Sequence, residues 1–137
     1  GAPEPSGNSD APIDPEAQFA LAQAYQVGHA VPADPARAAQ LYRNAAAQGH
    51  SGAATAYALM RYARGEEEKA IPELVRAAEA GDARARYLVG LAHFNGKLLP
   101  RDWPRAYALV MLAAEAGLNP ARRALTRMSG YLSREER

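Results

Sequence analysis

The three histidines, His29, His50 and His93, are the side chains of this sequence best suited to ligating a metal or moving a proton. A helical metal site places two histidines four residues apart on one face, and no two of these three have that spacing. None stands beside an acidic residue in a known catalytic pattern. We therefore expect structural roles, with His50 after a helix-ending glycine and His29 in a hairpin loop.

The other residue types that commonly take part in catalysis or ligand binding also form no known motif. The serines fall near both ends and at turns, with no nucleophile elbow, and the glycines form no phosphate-binding loop. Cysteine is absent, which excludes thiol catalysis and disulfides. The run Glu66–Glu67–Glu68 indicates a solvated turn that caps the next helix. The sequence predicts a protein that is not an enzyme and holds no metal or cofactor.

The composition and charge of the chain limit the fold classes and the kinds of binding partner to be expected. The chain has 137 residues, enough for one domain with a real core, and 48% of them are hydrophobic, half of these being alanine. Alanine favours helices that pack at close range, and scarce Val and Ile argue against an extensive sheet. The net charge of +1, with Glu115, Glu135 and Glu136 diluting the C-terminal arginines, predicts no nucleic-acid partner. No apolar run is long enough to span a bilayer, so we expect no direct membrane insertion. We also expect a monomer.

Helix boundaries are predicted from Asp and Asn residues at capping positions and from Pro residues in the first helical turn. Helix starts are predicted at Asp14-Pro15, Asp34-Pro35, Asp102 with Pro104, and Asn119-Pro120, with weaker caps at Ser51 and Asp82. The predicted helices are 15–27, 35–48, 52–64, 68–80, 83–95, 103–116 and 120–129. Residues 1–13 are Pro-, Ser- and Gly-rich and are expected to be disordered. The capping-box spacing of Ser133–Glu136 predicts that 130–137 is a tail or the start of a truncated helix.

An internal repeat organises these helices. Gly49, Gly81 and Gly117 close similar segments and lie 32 and 36 residues apart, a period typical of stacked helical pairs. The predicted domain, 14–129, has three repeats and a capping helix: first repeat 15–50, second repeat 51–82, third repeat 83–118, capping helix 119–129. The fold class is therefore all-α, an α-α superhelix (solenoid) of three antiparallel helix pairs plus a C-terminal capping helix.

The repeats resemble the Sel-one-like repeat family, a branch of the tetratricopeptide-like solenoids. Two repeats match its pattern of Ala, Leu, Gly, Tyr, Val and Asp positions. The first does so at Ala17, Leu21, Tyr25, Gly28, Val31, Asp34, Ala38, Tyr42, Ala45, Ala46 and Gly49. The third does so at Ala85, Gly90, Gly96, Asp102, Ala106, Ala113, Ala114 and Gly117, with Val89, His93 and Leu99 as stand-ins. The second repeat departs from the pattern, because its inter-helix loop is four residues shorter and Arg61 occupies the Tyr position.

The resemblance implies that the first helix of each pair lines a concave face. The implied partner-binding residues are Phe19, Gln23, Gln26, Thr55, Leu59, Tyr62, Tyr87, Leu91, Phe94, Arg123 and Arg127. The alternatives are that the apolar members belong to the core, that a shift of one residue makes Tyr62 the structural tyrosine, and that Arg122, Arg123 and Arg127 only neutralise the last helix. Trp103 is expected to pack between helices.

The resulting hypothesis is a non-catalytic adaptor or scaffold that binds a peptide of a partner protein, with an acidic or carboxylate group, in the concave groove. One alternative is a structural spacer or assembly element of a larger bacterial envelope protein. Another is a β-lactam-binding or hydrolysing repeat protein, although the family members so described have paired cysteines. The resemblance implies a periplasmic or cell-envelope location, with the cytoplasm as the alternative.

Overall fold

A computed structural model describes residues 14–135. The predicted disordered segment 1–13 and the last two residues lie outside this range. Within the described range the chain forms seven α-helices and no strand, an all-α repeat fold as predicted. The helices are α1 Pro15–Val27, α2 Pro35–Ala47, α3 Ser51–Ala63, α4 Glu67–Glu79, α5 Ala83–Asn95, α6 Trp103–Glu115 and α7 Asn119–Glu135. None of these helices has the length and hydropathy needed to cross a bilayer.

The chain divides within α3 into two compact units, residues 14–60 and residues 61–135. In the first unit α1 packs on α2, and the core includes Ala22, Ala38 and Tyr42. In the second unit α4 packs on α5, α5 on α6 and α6 on α7. A cluster around Val110 and Met128 forms part of its core. The alanines that recur in the sequence are largely buried, so they allow the helices of each pair to approach closely.

Four aspartates cap helices as predicted from the sequence. The carboxylates of Asp14, Asp34, Asp82 and Asp102 accept hydrogen bonds of 2.8–3.1 Å from backbone N–H groups in the first turns of α1, α2, α5 and α6. The predicted cap at Ser51 is wrong. Ser51 is the first residue of α3, and the imidazole Nδ1 of His50 instead accepts the N–H of Ala53 at 2.9 Å.

Helices are connected by two kinds of turn. Gly28 and Gly96 end the first helices of the first and third repeats with φ of 75° and 72° and lead into long loops. The predicted left-handed glycines between repeats form short turns instead, with φ of 93° to 106° at Gly49, Gly81 and Gly117. The connection between α3 and α4 uses the short kind, since Gly65 has φ of 92°. The second repeat has therefore replaced its long inter-helix loop by a copy of the turn used between repeats.

This replacement keeps the repeat in register. The N–H of Glu66 donates to the carbonyl of Arg61 at 2.9 Å, as Asp34 does to Tyr25 and Asp102 to His93 at the same distance. In the second repeat the donor and the acceptor are thus separated by four fewer residues, and yet they make the same hydrogen bond. Arg61 therefore occupies the Tyr position, as the alignment predicted.

Arginines from following first helices cap the ends of second helices. Nε of Arg86 in α5 donates to the carbonyl of Ala78 in α4 at 3.1 Å. Arg122 in α7 makes the corresponding bond to Ala114 in α6 at 3.3 Å. These carbonyls lie in the last turn, where each also accepts the N–H of the turn glycine, Gly81 or Gly117, so the arginine is a second donor. Arg122 therefore does more than neutralise charge.

The end of the chain differs from the prediction. The last helix, α7, runs from Asn119 to Glu135 without interruption, so the predicted helix end at residue 129 and helix start at Ser133 are wrong. Ser133 lies inside the helix. The ring of Tyr131 packs against two aromatic side chains of the same unit, which favours continuing the helix through Gly130 despite its low helix propensity.

Candidate functional site

Five of the predicted partner-binding residues lie in the first unit: Phe19, Gln23, Gln26, Thr55 and Leu59. The Phe19 ring is half-buried and stacks on His50 with centroids 4.5 Å apart. Gln26 accepts a 2.6 Å hydrogen bond from the Tyr42 hydroxyl, whereas Gln23 is exposed and Leu59 half-buried. Thr55 is buried, so its assignment to an open face is wrong. Phe19 and Gln26 of this set thus have partners within the unit.

The His50 imidazole has both nitrogens engaged. Because Nδ1 accepts the Ala53 N–H, the proton of the neutral ring lies on Nε2, which donates to the Glu16 carboxylate at 2.9 Å. The ring also stacks on Phe19. His50 thus links α1 to the start of α3, as expected for a structural histidine. His93 is likewise engaged, since its Nδ1 lies 2.8 Å from the Pro100 carbonyl.

The clearest candidate surface lies in the second unit, on α5. Tyr87, Leu91 and Phe94 fall four and three residues apart, so they share one helix face. All three are half-buried and pack against the cluster that contains Val110 and Met128. We call these three residues the α5 strip. Each side chain is thus partly core and partly open to solvent.

Tyr62, at the end of α3, extends the aromatic character of this region. Burial is the main cause that raises the pKa of its hydroxyl, followed by the charges of Glu67 and Tyr87. Tyr87 is thus one of the groups that act on the Tyr62 hydroxyl. The neutral phenol is therefore available as a hydrogen-bond donor over an extended pH range.

One end of the α5 strip is closed by aromatic residues that the sequence did not place there. Tyr131 of α7 meets Phe94 edge-on at 5.6 Å and Trp103 at 5.4 Å. The indole Nε1 of Trp103 donates to the Phe94 carbonyl at 3.2 Å. Trp103 is a packing residue, as predicted. Tyr131 gave no signal in the sequence, because no equivalent aromatic recurs at its repeat position.

The two predicted arginines lie on α7. Both Arg123 and Arg127 are exposed, and neither makes a hydrogen bond or ion pair within the described residues. They are four residues apart and so lie on the same helix face. Both guanidinium groups are available to a carboxylate.

A surface depression of about 400 Å³ lies beside the shortened turn of the second repeat. Its lining includes Glu66, Glu67, Glu68 and Leu98. A hydrogen bond from Arg61 is the main cause that lowers the pKa of Glu66, which also pairs with Arg64 at 3.1 Å. Among the described residues no group of His, Asp and Glu side chains has an arrangement suited to a metal ion.

Comparison with known proteins agrees with this geometry. The Sel1 repeat family model matches residues 15–50 and 83–118, the first and third repeats. A search of curated proteins found no match. Among solved structures, the chain is similar to c5321, a protective antigen of uropathogenic Escherichia coli strains with an SLR fold. The TM-score is 0.71 at 27% identity, over 85% of this chain and 26% of that one.

A Sel1 repeat protein from Oxalobacter formigenes gives a TM-score of 0.66 at 33% identity, over 89% of this chain and 37% of that one. The chain thus spans well under half the length of either protein. The family model matches the two repeats that share the long-loop hydrogen bond between their helices. The structural neighbours are repeat proteins of the same kind. The chain belongs to the Sel1 repeat family.

Proposed function

We propose that this repeat domain is a protein-interaction module whose α5 strip, with Tyr62 beside it, binds an apolar segment of a partner protein. The half-exposed state of Tyr87, Leu91 and Phe94 is the observation that carries the proposal. Sel1 repeats generally form non-catalytic scaffolds that mediate protein–protein interactions, which supports the same reading.

Partial burial suits these side chains to recognition. The packed side of each ring or leucine fixes its rotamer, so a ligand that covers the open side orders few groups that were mobile before. Covering the open part of one such side chain contributes roughly 1 kcal/mol. Three neighbours on one helix face therefore provide a weak but specific apolar contact, of the kind used to bind a helical or extended peptide.

A substitution with a matched control tests this function. Leu91→Gln removes an apolar contact from the α5 strip, and Leu112→Gln makes the same change at a leucine of α6 that is 40% exposed. A displayed library of random 12-residue peptides is selected on the wild-type domain, and the enriched peptides are then measured by fluorescence anisotropy. We expect roughly tenfold weaker binding to Leu91→Gln and unchanged binding to Leu112→Gln.

Circular dichroism melting shows whether each variant is folded at the temperature of the assay. Tyr87→Ser serves as a second variant if Leu91→Gln proves unstable. Equal affinity for the wild type and both strip variants would show that the α5 strip is not the binding surface. The envelope location expected from the resemblance stays a proposal, and fractionation of the native cell followed by immunoblotting tests it.

A further inference from the structure

The charges of the second unit are sorted by helix. The first helices α5 and α7 carry six arginines, and their only acidic residue is Glu135 at the end of α7. The other acidic residues of this unit lie on the second helices α4 and α6 or in turns: Glu66, Glu67, Glu68, Glu73, Glu79, Asp82, Asp102 and Glu115. The net charge of +1 for the whole chain conceals this separation.

Most arginines of the unit are engaged within it. Carboxylates pair with Arg61, Arg64, Arg76 and Arg105. Backbone carbonyls accept from Arg86, Arg101 and Arg122. The arginines without a hydrogen bond or ion pair in the described part of the chain are Arg84, Arg123, Arg127 and Arg134. All four belong to α5 or α7.

Helix geometry places Arg84 and Arg127 beside the α5 strip. Successive residues of an α-helix are rotated by about 100°, which places Arg84 on the same side of α5 as Leu91. On α7 the same rotation places Arg127 on the flank of Tyr131, the residue that contacts Phe94. Arg123 lies one turn before Arg127. An apolar centre is thus bordered by guanidinium groups that have no internal partner.

This arrangement is costly without a ligand. Like charges one helical turn apart, as at Arg123 and Arg127, destabilise a helix, and no acidic side chain of the described residues offsets them. A carboxylate supplied from outside removes that repulsion and accepts a bidentate hydrogen bond from a guanidinium group.

We infer that the surface formed by the α5 strip and these arginines binds an acidic segment of a partner protein. Its apolar residues cover Leu91 and the neighbouring rings, and its Asp or Glu side chains pair with Arg84, Arg123 and Arg127. The inference rests on the proposed function and adds the chemistry of the partner. Single-stranded nucleic acid fits less well, because stacking needs open ring faces, and the rings of Tyr87 and Phe94 are half-buried.

The experiment extends the peptide selection to charge variants. Arg123→Gln with Arg127→Gln removes two bordering charges, and Arg76→Gln with Arg105→Gln removes two exposed charges from α4 and α6 as a matched control. We expect peptides enriched on the wild type to carry an excess of Asp and Glu beside apolar residues. Their affinity should fall roughly tenfold for the first double variant and less than about twofold for the control. Added salt should weaken binding to the wild type.

Each other outcome overturns the inference in a recognisable way. Enriched peptides that depend on Leu91 but show no excess of acidic residues would refute the acidic partner and leave the proposed function standing. A selection in which the wild type enriches nothing beyond the Leu91→Gln domain would refute both. A 12-nucleotide oligo-dT that binds more weakly to the Arg123→Gln, Arg127→Gln domain, while peptide affinity is unchanged, would assign the arginines to nucleic acid.

Discussion

The first and third repeats have the same backbone hydrogen bonds and helix ends, but they differ in the side chains at equivalent positions. In both, the capping aspartate donates its N–H to the residue at the Tyr position, Tyr25 in one repeat and His93 in the other. In both, a left-handed glycine ends the first helix. The frame thus depends on backbone bonds and caps, and it tolerates exchange of a phenol for an imidazole.

The helix crossings differ. The first repeat has Ala22 at the crossing and Tyr42 at the corresponding site of its second helix, while the third has Gly90 and Val110. The Tyr42 hydroxyl donates a hydrogen bond to Gln26 of the first helix. Val110 is branched at Cβ and places a methyl group only 2.8 Å from where a Cβ of Gly90 would lie. This difference shows that the second-helix side chain at the crossing determines how small the first-helix residue there must be.

The largest expected effect concerns a proline found only in the second repeat. Pro72 lies inside α4, and Ala108 occupies the corresponding exposed position of α6. Proline lacks an N–H and clashes with the preceding turn, so Ala108→Pro should lower the free energy of unfolding by about 3 kcal/mol. The reverse change, Pro72→Ala, should raise it by about 1–3 kcal/mol. Urea denaturation checks both signs, and a loss of stability in Pro72→Ala would contradict the comparison.

The second effect tests the crossing of the third repeat. Gly90→Ala puts a methyl group 2.8 Å from Val110 and 3.1 Å from the Ala106 carbonyl oxygen, so it should destabilise by about 1–3 kcal/mol. The usual gain from replacing a helical glycine with alanine has the opposite sign. In a double-mutant cycle measured by thermal melting, Val110→Ala should relieve most of the penalty. Stabilisation by Gly90→Ala alone would show that the crossing has room to spare.

A smaller effect separates the two long loops. Ala30 has φ of 70°, the only non-glycine residue with positive φ among those described, and its counterpart in the third repeat is Leu98. Ala30→Gly should raise the free energy of unfolding by about 0.5–1 kcal/mol, because alanine is strained in this conformation. Leu98→Gly should lower it by a similar amount, about 0.5–1 kcal/mol. Melting temperatures that change in the same direction in both variants would mean that the loops are alike.

The smallest effect concerns Glu66, which stands where the first and third repeats have capping aspartates and makes no cap bond. The hydrogen bond from Arg61 lowers its pKa in the folded protein. Its contribution is therefore present above the unfolded pKa of about 4.3 and is lost as the pH falls through the lower folded value. The melting temperature of wild type should exceed that of Glu66→Gln at neutral pH and converge with it in acid. A difference that persists in strong acid would exclude this origin.

Much of the fold could be predicted because its determinants are local. An Asp-Pro pair starts a helix, and a glycine that adopts positive φ ends one, so α1 to α6 begin and end within one residue of the predicted bounds. The prediction failed where distant contacts decide. The spacing of Ser133 and Glu136 favours a helix start, but Tyr131 packs on Trp103, and α7 continues.

The candidate site was predictable only in part. The resemblance to the Sel-one-like repeats implied that Tyr87, Leu91 and Phe94 share one face, and the structure keeps them together. Spacing alone could not tell that Phe19 stacks on His50 or that Tyr131 covers one side of Phe94, because these contacts join residues of different helices. Nor could it separate arginines with internal partners, such as Arg86, from those without.

The arginines that cap preceding helices carry a consequence for how the molecule comes apart. Since the Ala114 carbonyl at the end of α6 accepts from Arg122 as well as from the N–H of Gly117, loosening of α7 removes one of the hydrogen bonds that hold this helix end. Arg86 couples α5 to α4 in the same way. Loss of structure should therefore spread backwards along the chain, one helix pair at a time. Hydrogen exchange should show α7 exchanging before α6, with Arg122→Ala accelerating exchange at the end of α6 more than elsewhere.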